Sequence, residues 1–245
     1  MMLEAPEQFP VLGLPVHLLN DYPRWLISRL QKGQGAQVVT LNAEMAMQAE
    51  QNAALAKVLQ QAELVIPDGA GIVLYLRLQG RRQQRCPGIE LATALLQQAG
   101  EWGDSCPVFF YGGAPEVVNK AAKVWQEQLP KLAIAGIWDG YLSTEAQAQL
   151  QATLKEQQPK LILVGLGVPR QELWIAQNRH ICPQATWIGV GGSFDIWAGV
   201  KTRAPVWMQQ MHLEWLYRLS QEPWRWRRMM ALPQFALKAL KRRSN

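Results

Sequence analysis

The sequence is poor in the features that mark membrane-spanning, secreted and disulfide-rich proteins. No uninterrupted apolar run in its 245 residues approaches the roughly 18 to 20 residues that a membrane span requires. The first residues lack the basic and apolar regions of a signal peptide, so a cytoplasmic protein is expected. The three cysteines are widely spaced, and this pattern predicts neither a disulfide framework nor a zinc site.

Acidic pairs that could hold a divalent cation are also missing. The aspartates are all isolated, so the sequence has no Asp-X-Asp pair for Mg²⁺ or Mn²⁺. His17, His180 and His212 likewise have no second ligand at a metal-binding spacing. The sequence therefore predicts no metal site, and each histidine is expected to be structural.

The sequence does contain enough apolar residues for a full core, and its end is strongly basic. It is 49% apolar and 18% charged, which fits one large or two modest soluble domains. The formal net charge is +6, yet the chain after residue 200 carries ten basic residues against only Glu214 and Glu222. A near-neutral body with a basic tail indicates an anionic partner for the tail, whether nucleic acid, phosphate or a lipid surface.

A short apolar run at residues 64–66 ends on Asp68, within a turn that also contains Pro67 and Gly69. This pattern predicts a buried strand followed by a helix from residue 72. Asp68 then lies at the carboxyl end of a strand, the edge at which open α/β sheets bind ligands. The alternative is that Asp68 only caps the following helix, because aspartate is favoured at that position.

A β-α-β unit leads into this turn. Residues 38–42 have the pattern of a β-branched strand, and residues 43–60 that of a helix. Parallel strands joined by a helix end at the same edge of the sheet, so Thr40, Asn42 and Asp68 are expected to converge there. Asn42 has the alternative role of capping its own helix.

Strands that run into glycine-rich turns recur in the second half of the chain. The turns contain Gly112 and Gly113, Gly136 and Gly140, Gly165 and Gly167, and Gly189, Gly191 and Gly192. A strand, glycines and a helix N-terminus in this order can present backbone N–H groups to a phosphate. None of the turns gives the full dinucleotide fingerprint. Together they predict a doubly wound, mostly parallel, Rossmann-like α/β sheet with a nucleotide-sized ligand on its carboxyl edge.

The segment 79–88 is polar, basic and without periodicity, and we expect a mobile loop there. It contains Arg81, Arg82 and Arg85. Such a charge run is commonly only solvated. Three arginines beside the ligand edge would also suit an anionic substrate.

Residues 201–245 are predicted to form a helical appendage on an α/β catalytic domain of residues 1–200. The appendage is rich in tryptophan and arginine, and Pro223 and Pro233 are expected to interrupt its helices. On continuous helices, three of its arginines would share one face: Arg218, Arg225 and Arg228. Tryptophans interleaved with arginines indicate an amphipathic surface element, and a solvated terminal hairpin is the alternative.

A set of motifs, in this order, resembles the WecG/TagA/CpsF family of bacterial glycosyltransferases over nearly the whole chain. The motifs are Thr40-Leu41-Asn42, Pro67-Asp68-Gly69, Arg85-Cys86-Pro87-Gly88-Ile89-Glu90-Leu91, Gly165-Leu166-Gly167-Val168-Pro169-Arg170-Gln171-Glu172, Gly189-Val190-Gly191-Gly192-Ser193-Phe194-Asp195, Arg203-Ala204-Pro205, Glu214-Trp215-Leu216-Tyr217-Arg218-Leu219 and Glu222-Pro223-Trp224-Arg225. One departure is His212, where the family more often has glycine.

The resemblance implies an inverting transfer of a sugar from a UDP-sugar to N-acetylglucosamine on a polyprenyl diphosphate, in the synthesis of cell-surface polysaccharide or teichoic acid. N-acetylmannosamine is the first choice of sugar by family, and another UDP-hexose or a UDP-uronic acid is the alternative. No metal and no further cofactor are implied. The implied location is the inner face of the cytoplasmic membrane, where the protein would be peripheral.

The resemblance also assigns roles to individual residues. Asp68 matches the family's proposed base, and the motifs add Thr40, Asn42, Arg85 and Gln171 as catalytic candidates. The candidates for binding the nucleotide sugar are Gly112, Gly113, Gly165, Gly167, Gly191, Gly192, Asp195, Arg218, Arg225 and Arg228. The arginines among them match an appendage thought to close over the diphosphate.

The expected chemistry fits these residues. An inverting transfer needs a carboxylate to take the acceptor's proton and a positive group to stabilise the leaving UDP. Because the sequence has no acidic pair for a metal, arginine must supply that charge.

Two other classes of protein stay open. A nicotinamide-dependent oxidoreductase would explain the glycine turns but not the basic tail. A nucleic-acid-binding protein would explain the tail but not Asp68. We expect no nucleic acid partner, and a homo-oligomer is an alternative to a monomer.

Overall fold

A single parallel sheet forms the centre of the molecule. The computed structural model describes residues 5–241. Its strands are β1 (Glu7–Val11), β2 (Leu14–Leu18), β3 (Ala36–Leu41), β4 (Leu64–Pro67), β5 (Val108–Gly112), β6 (Ile134–Trp138), β7 (Leu161–Gly165) and β8 (Thr186–Gly189). Six of these pair in the order β4-β3-β8-β7-β5-β6, all parallel, while β1 and β2 form a separate antiparallel hairpin. The predicted α/β fold is confirmed.

Helices cover both faces of the sheet. They are α1 (Tyr22–Gln31), α2 (Ala43–Gln51), α3 (Ala53–Gln61), α4 (Ala70–Leu78), α5 (Gly88–Trp102), α6 (Pro115–Gln128), α7 (Thr144–Gln157), α8 (Arg170–Asn178), α9 (Ser193–Trp197), α10 (Val206–Gln210), α11 (Glu214–Gln221), α12 (Trp226–Met229) and α13 (Ala231–Lys241). Ile66 and Phe110 pack beneath α1, α5 and α6, whereas Val65 and Phe109 face the opposite layer. Successive residues of a strand thus contribute to cores on opposite faces of the sheet.

The strand order reverses between β5 and β7. The chain steps from β5 outward to β6, but from β7 in the opposite direction to β8. Open α/β sheets bind ligands in the crevice outside such a switch point. Gly112, the last residue of β5, has φ +122°, and a Cβ there would lie 2.5 Å from the backbone of Gly165 in β7. Glycine is therefore required for the two strand ends to approach this closely.

The predicted helices differ from the structure at three places, of which the smallest is the start of α4, at Ala70 instead of residue 72. The helix expected over residues 43–60 is two helices, because Asn52 ends α2 and its side chain accepts a hydrogen bond from the Leu55 N–H as the N-cap of α3. Pro233 does not interrupt a helix, since it lies in the first turn of α13, where a missing N–H loses no intrahelical bond. Pro223 does begin a short 3₁₀ turn between α11 and α12, as expected.

The last helix packs into the body of the molecule. Phe235 is 3% exposed and belongs to the core cluster that includes residues of α2 and α4, with its ring edge-on to Tyr75 at 6.2 Å. The preceding part of the basic tail instead exposes Trp207, Trp224 and Trp226. The domain boundary at residue 200 stays a prediction, but α13 shares a core with the residues before it.

Candidate active site

Asp68 lies in the turn that follows β4, directly against the end of β3. Leu41 pairs with Pro67, and its carbonyl accepts hydrogen bonds from the N–H groups of both Asp68 and Gly69, at 3.0 and 3.1 Å. Gly69 is the N-cap of α4 and no side chain caps that helix, so Asp68 does not have the capping role that was its alternative. Its Oδ1 instead accepts from the N–H of Gly88, 3.3 Å away at the start of α5.

The predicted convergence of Thr40, Asn42 and Asp68 is confirmed. A Cβ on Gly69 would lie 2.8 Å from Asn42, and one on Gly88 would lie 2.7 Å from Thr40, so both side chains pack against the residues that surround Asp68. Asn42 also caps α2, because its Oδ1 accepts from the Met45 N–H at 3.0 Å. The catalytic roles of Thr40 and Asn42 stay predictions.

Arg85 connects Asp68 to the tail of the chain. Its Nε donates to the Asp68 carbonyl, and its Nη2 lies 3.6 Å from the Asp68 carboxylate and 2.8 Å from that of Glu214 in α11. The other oxygen of Glu214 is 3.3 Å from Arg203, which also binds Glu90 in α5 at 2.6 Å. Charges of alternating sign thus run from the tail to Asp68.

The two carboxylates that Arg85 contacts differ in their proton affinity. Burial raises the pKa of Asp68, although the charges of Arg85 and Arg218 act against this rise. Burial would also raise the pKa of Glu214, but the hydrogen bond from Arg85 and the charges of Arg203 and Arg218 hold it below its usual range. Glu214 is therefore a fixed anion, whereas Asp68 is suited to accept a proton.

A second ion-pair cluster joins the tail to α9. Lys201 lies 3.6 Å from Asp195 and 3.1 Å from Glu222, which also binds Arg225 at 2.9 Å. Sequence reasoning missed Glu214 and Glu222 as site residues. The sequence does carry a signal for them: they are the only acidic residues after position 200, where ten basic residues lie, so each has many possible ion-pair partners.

The three tail arginines do not lie on one continuous helix. A 3₁₀ turn separates α11, which carries Arg218, from α12, which carries Arg228. Arg225 binds Glu222, the Nε of Arg228 lies 3.6 Å from Glu44 in α2, and Arg218 is near enough to Asp68 to lower its pKa. Arg218 thus acts on Asp68 through its charge, whereas Arg225 and Arg228 pair with other carboxylates.

The glycine turns lie at the carboxyl ends of β5, β7 and β8. Several of their N–H groups bind within the protein: Gly113 donates to the Gly165 carbonyl at 3.0 Å, and Gly167 and Gly191 both donate to the Gln171 side chain at 3.1 Å. A Cβ on Gly192 would lie 3.5 Å from the Asp195 carboxylate. Gln171 thus lies among the glycine turns, and roles for these residues in nucleotide binding stay predictions.

His212, the departure from the family motif, lies between α10 and α11. Its φ is +60°, in the left-handed region that glycine adopts without strain. The bend that glycine would favour is therefore present with a histidine, and α11 still places Glu214 on Arg85.

Neither a metal site nor a membrane-spanning helix is found in the part of the chain that the structure describes. Within residues 5–241, no group of three or more His, Cys, Asp or Glu side chains could hold a metal ion. No helix in the same range is long and apolar enough to cross a membrane.

The fold and the site together describe a doubly wound α/β protein with a carboxylate and an arginine at the carboxyl edge of its parallel sheet. The family model described as "Glycosyl transferase WecG/TagA/CpsF family" matches residues 9–245, and the chain belongs to this family. The resemblance of its motifs is confirmed.

Two curated relatives are similar to most of the chain. One, from Bacillus spizizenii, is 38% identical over 213 residues, which cover 86% of this chain and 81% of the relative. The other, from Bacillus subtilis, is 37% identical over 212 residues, with the same coverage. Both are named N-acetylglucosaminyldiphosphoundecaprenol N-acetyl-beta-D-mannosaminyltransferase.

Proposed function

We propose that this protein transfers N-acetylmannosamine, with inversion, from a UDP-sugar to N-acetylglucosamine on a polyprenyl diphosphate. The names of the two relatives support the transferred sugar and the lipid-linked acceptor. The observation that carries the proposal is the Asp68 carboxylate, held at a strand end beside Arg85 with its pKa raised by burial. Another UDP-hexose or a UDP-uronic acid is the alternative donor.

In the proposed reaction Asp68 is the general base. Its carboxylate takes the proton of the acceptor hydroxyl while that oxygen attacks the anomeric carbon, and the bond from this carbon to UDP breaks in the same step. A raised pKa suits this role, because the carboxylate then binds the proton more strongly. A single displacement inverts the anomeric centre, and the beta linkage in the relatives' name fits an alpha-linked donor.

Arginines of the tail are proposed to stabilise the leaving diphosphate in place of a metal. Guanidinium groups bind phosphate oxygens bidentately, and Arg218 already lies close enough to Asp68 to affect its pKa. Arg225 and Arg228 pair with Glu222 and Glu44. In our proposal the diphosphate replaces these carboxylates when it binds.

Peripheral attachment to the membrane follows from the proposed acceptor, whose polyprenyl chain lies in a bilayer. The tail exposes Trp207, Trp224 and Trp226, and the guanidinium of Arg227 lies over the Trp226 ring at 5.5 Å. Aromatic rings suit the membrane interface, and each basic residue near an anionic leaflet contributes roughly 1 kcal/mol. We propose docking on the inner face of the cytoplasmic membrane.

The proposal is tested by assaying a panel of UDP-sugars with polyprenyl-diphosphate-linked N-acetylglucosamine, with and without EDTA. We expect UDP-N-acetylmannosamine to be the best donor, the product to have the inverted configuration, and EDTA to leave the rate unchanged. Transfer from no UDP-sugar would refute the function. Loss of activity in EDTA with recovery in Mg²⁺ or Mn²⁺ would refute only the metal-free mechanism.

A further inference from the structure

The side chain of Gln171 crosslinks two of the glycine turns. Gln171 is 1% exposed, and its Oε1 accepts hydrogen bonds from the N–H groups of Gly167, after β7, and Gly191, after β8, both at 3.1 Å. These two glycines have φ of +76° and +52°. One buried amide oxygen therefore holds both turns in left-handed conformations that other residues rarely adopt.

The orientation of this amide depends on Glu172. An amide has an acceptor end and a donor end, and the two glycine N–H groups require the oxygen. The Nε2 of Gln171 must then point the other way, where it donates to Oε1 of Glu172 at 2.8 Å. Gly189 leaves room for this contact, since a Cβ there would lie 2.5 Å from that Nε2.

Glu172 has an unusual environment for a carboxyl group. It is 2% exposed, and its Oε2 has no hydrogen-bond partner among the residues that the structure describes. Burial raises the pKa of Glu172 to about 7. A buried polar atom without a partner is destabilising, and an apolar side chain would avoid this penalty. It would, however, leave the Gln171 Nε2 without its acceptor.

We infer that Glu172 is a positioning residue, which orients the Gln171 amide so that it holds the turns after β7 and β8 in the shape that receives the nucleotide sugar. Gln171 then acts through the backbone of the two turns and not by touching the reacting atoms. The link to nucleotide binding rests on the proposed function, whereas the link to the shape of the turns does not.

The inference can be tested with a reciprocal exchange of the two side chains. Gln171→Glu places a second carboxyl against Glu172. Burial already raises the pKa of Glu172 to about 7, so the variants are compared in alkaline buffer, where both carboxyls are ionised and repel. Adding Glu172→Gln relieves this repulsion, because the amide introduced at position 172 can donate to the carboxylate introduced at position 171, whose other oxygen still accepts from both glycines. The single Glu172→Gln variant keeps an acceptor oxygen for Gln171, whereas Glu172→Leu removes it.

The readouts are hydrogen exchange in residues 165–171 and 189–193 and the KM for the UDP-sugar donor. We expect Glu172→Leu and Gln171→Glu to raise exchange and donor KM by about tenfold with little change in the KM for acceptor. Glu172→Gln should stay close to the wild type, and the double variant should recover most of the loss of Gln171→Glu. Glu156→Leu, on the exposed part of α7, is the matched control.

Two outcomes would overturn the inference: unchanged exchange in Glu172→Leu, or a double variant no better than Gln171→Glu alone. If Glu172→Leu does not fold, the reciprocal exchange still decides, because both of its side chains are polar and of similar size. If the wild type transferred no sugar, the proposed function would fail, but hydrogen exchange would still test the positioning role.

Discussion

The two halves of the sheet's carboxyl edge are built in different ways. At β3 and β4 the site is charged, and its groups come from distant parts of the chain: Asp68, Arg85 and Glu214 lie in a strand turn, a loop and the tail. At β5, β7 and β8 it is formed by glycine turns a few residues from their strands. The neutral Gln171 amide holds the turns after β7 and β8, and the Gly165 carbonyl binds the turn after β5. The proposed function would use both kinds of surface, because proton transfer requires a charged group with an adjustable pKa and a nucleotide requires close approach to the backbone.

Each half contains one carboxyl with a raised pKa, and the surroundings of the two carboxyls differ. Burial raises the pKa of both Asp68 and Glu172. The Asp68 side chain, however, is 24% exposed and lies beside Arg85, whereas Glu172 is almost inaccessible and its bonded oxygen binds only an amide. A raised pKa alone therefore does not identify a catalytic group. Access and neighbouring charge are the grounds on which we propose proton transfer for Asp68 and positioning for Glu172.

The largest effect is expected from neutralising the carboxyl of the charged half. Asp68→Asn keeps the shape of the side chain but cannot take a proton, so the turnover number should fall by about 10² to 10⁴-fold. Calorimetry should show unchanged UDP binding, since the glycine half is untouched. Asp21→Asn is the matched control, because asparagine can replace the aspartate that caps α1. Near-normal turnover of Asp68→Asn would exclude it as the base.

The glycine half could be predicted from the sequence because its determinants are local. A strand, its glycines and the next helix are consecutive, so the turns after β5, β7 and β8 follow from residue order. The position of Asp68 at a strand end was predictable for the same reason. The cap at Asn52 was also local, but it was missed because the apolar pattern continues through it and hides the break.

The charged half could be predicted only in part, because its contacts join residues far apart in the chain. Arg85 was a candidate from its motif, but nothing local indicates that Glu214, 129 positions later, lies 2.8 Å from it. The tail was expected to be an appendage from its charge, yet that charge is partly compensated by Glu214 and Glu222. Ion pairs over such distances depend on the finished fold and have no sequence periodicity.

A smaller effect, on stability, should show whether the tail belongs to the charged half. Phe235→Ala removes a ring buried between α13 and the body, and such a change costs about 3 to 5 kcal/mol of the free energy of unfolding. Leu237→Ala on the same helix is the control, since Leu237 is 61% exposed and surface changes cost within about 0.5 kcal/mol. Urea denaturation measures both. Equal, small losses would mean that α13 does not pack on the body in solution.

The smallest effects are expected from two substitutions that each remove one charge that acts on Asp68. They should shift the pH profile of turnover in opposite directions. The base works only when deprotonated, so turnover should rise as pH increases through the pKa of Asp68 and then level off. Glu214 raises this pKa and Arg218 lowers it. Glu214→Gln should therefore move the rising limb to lower pH, and it also frees Arg85 to interact with Asp68 alone. Arg218→Gln should move the rising limb to higher pH. Lys123→Gln, on the exposed part of α6, should not move it. Shifts in the same direction would contradict the charge network, because the charges of Glu214 and Arg218 act on the pKa of Asp68 in opposite directions.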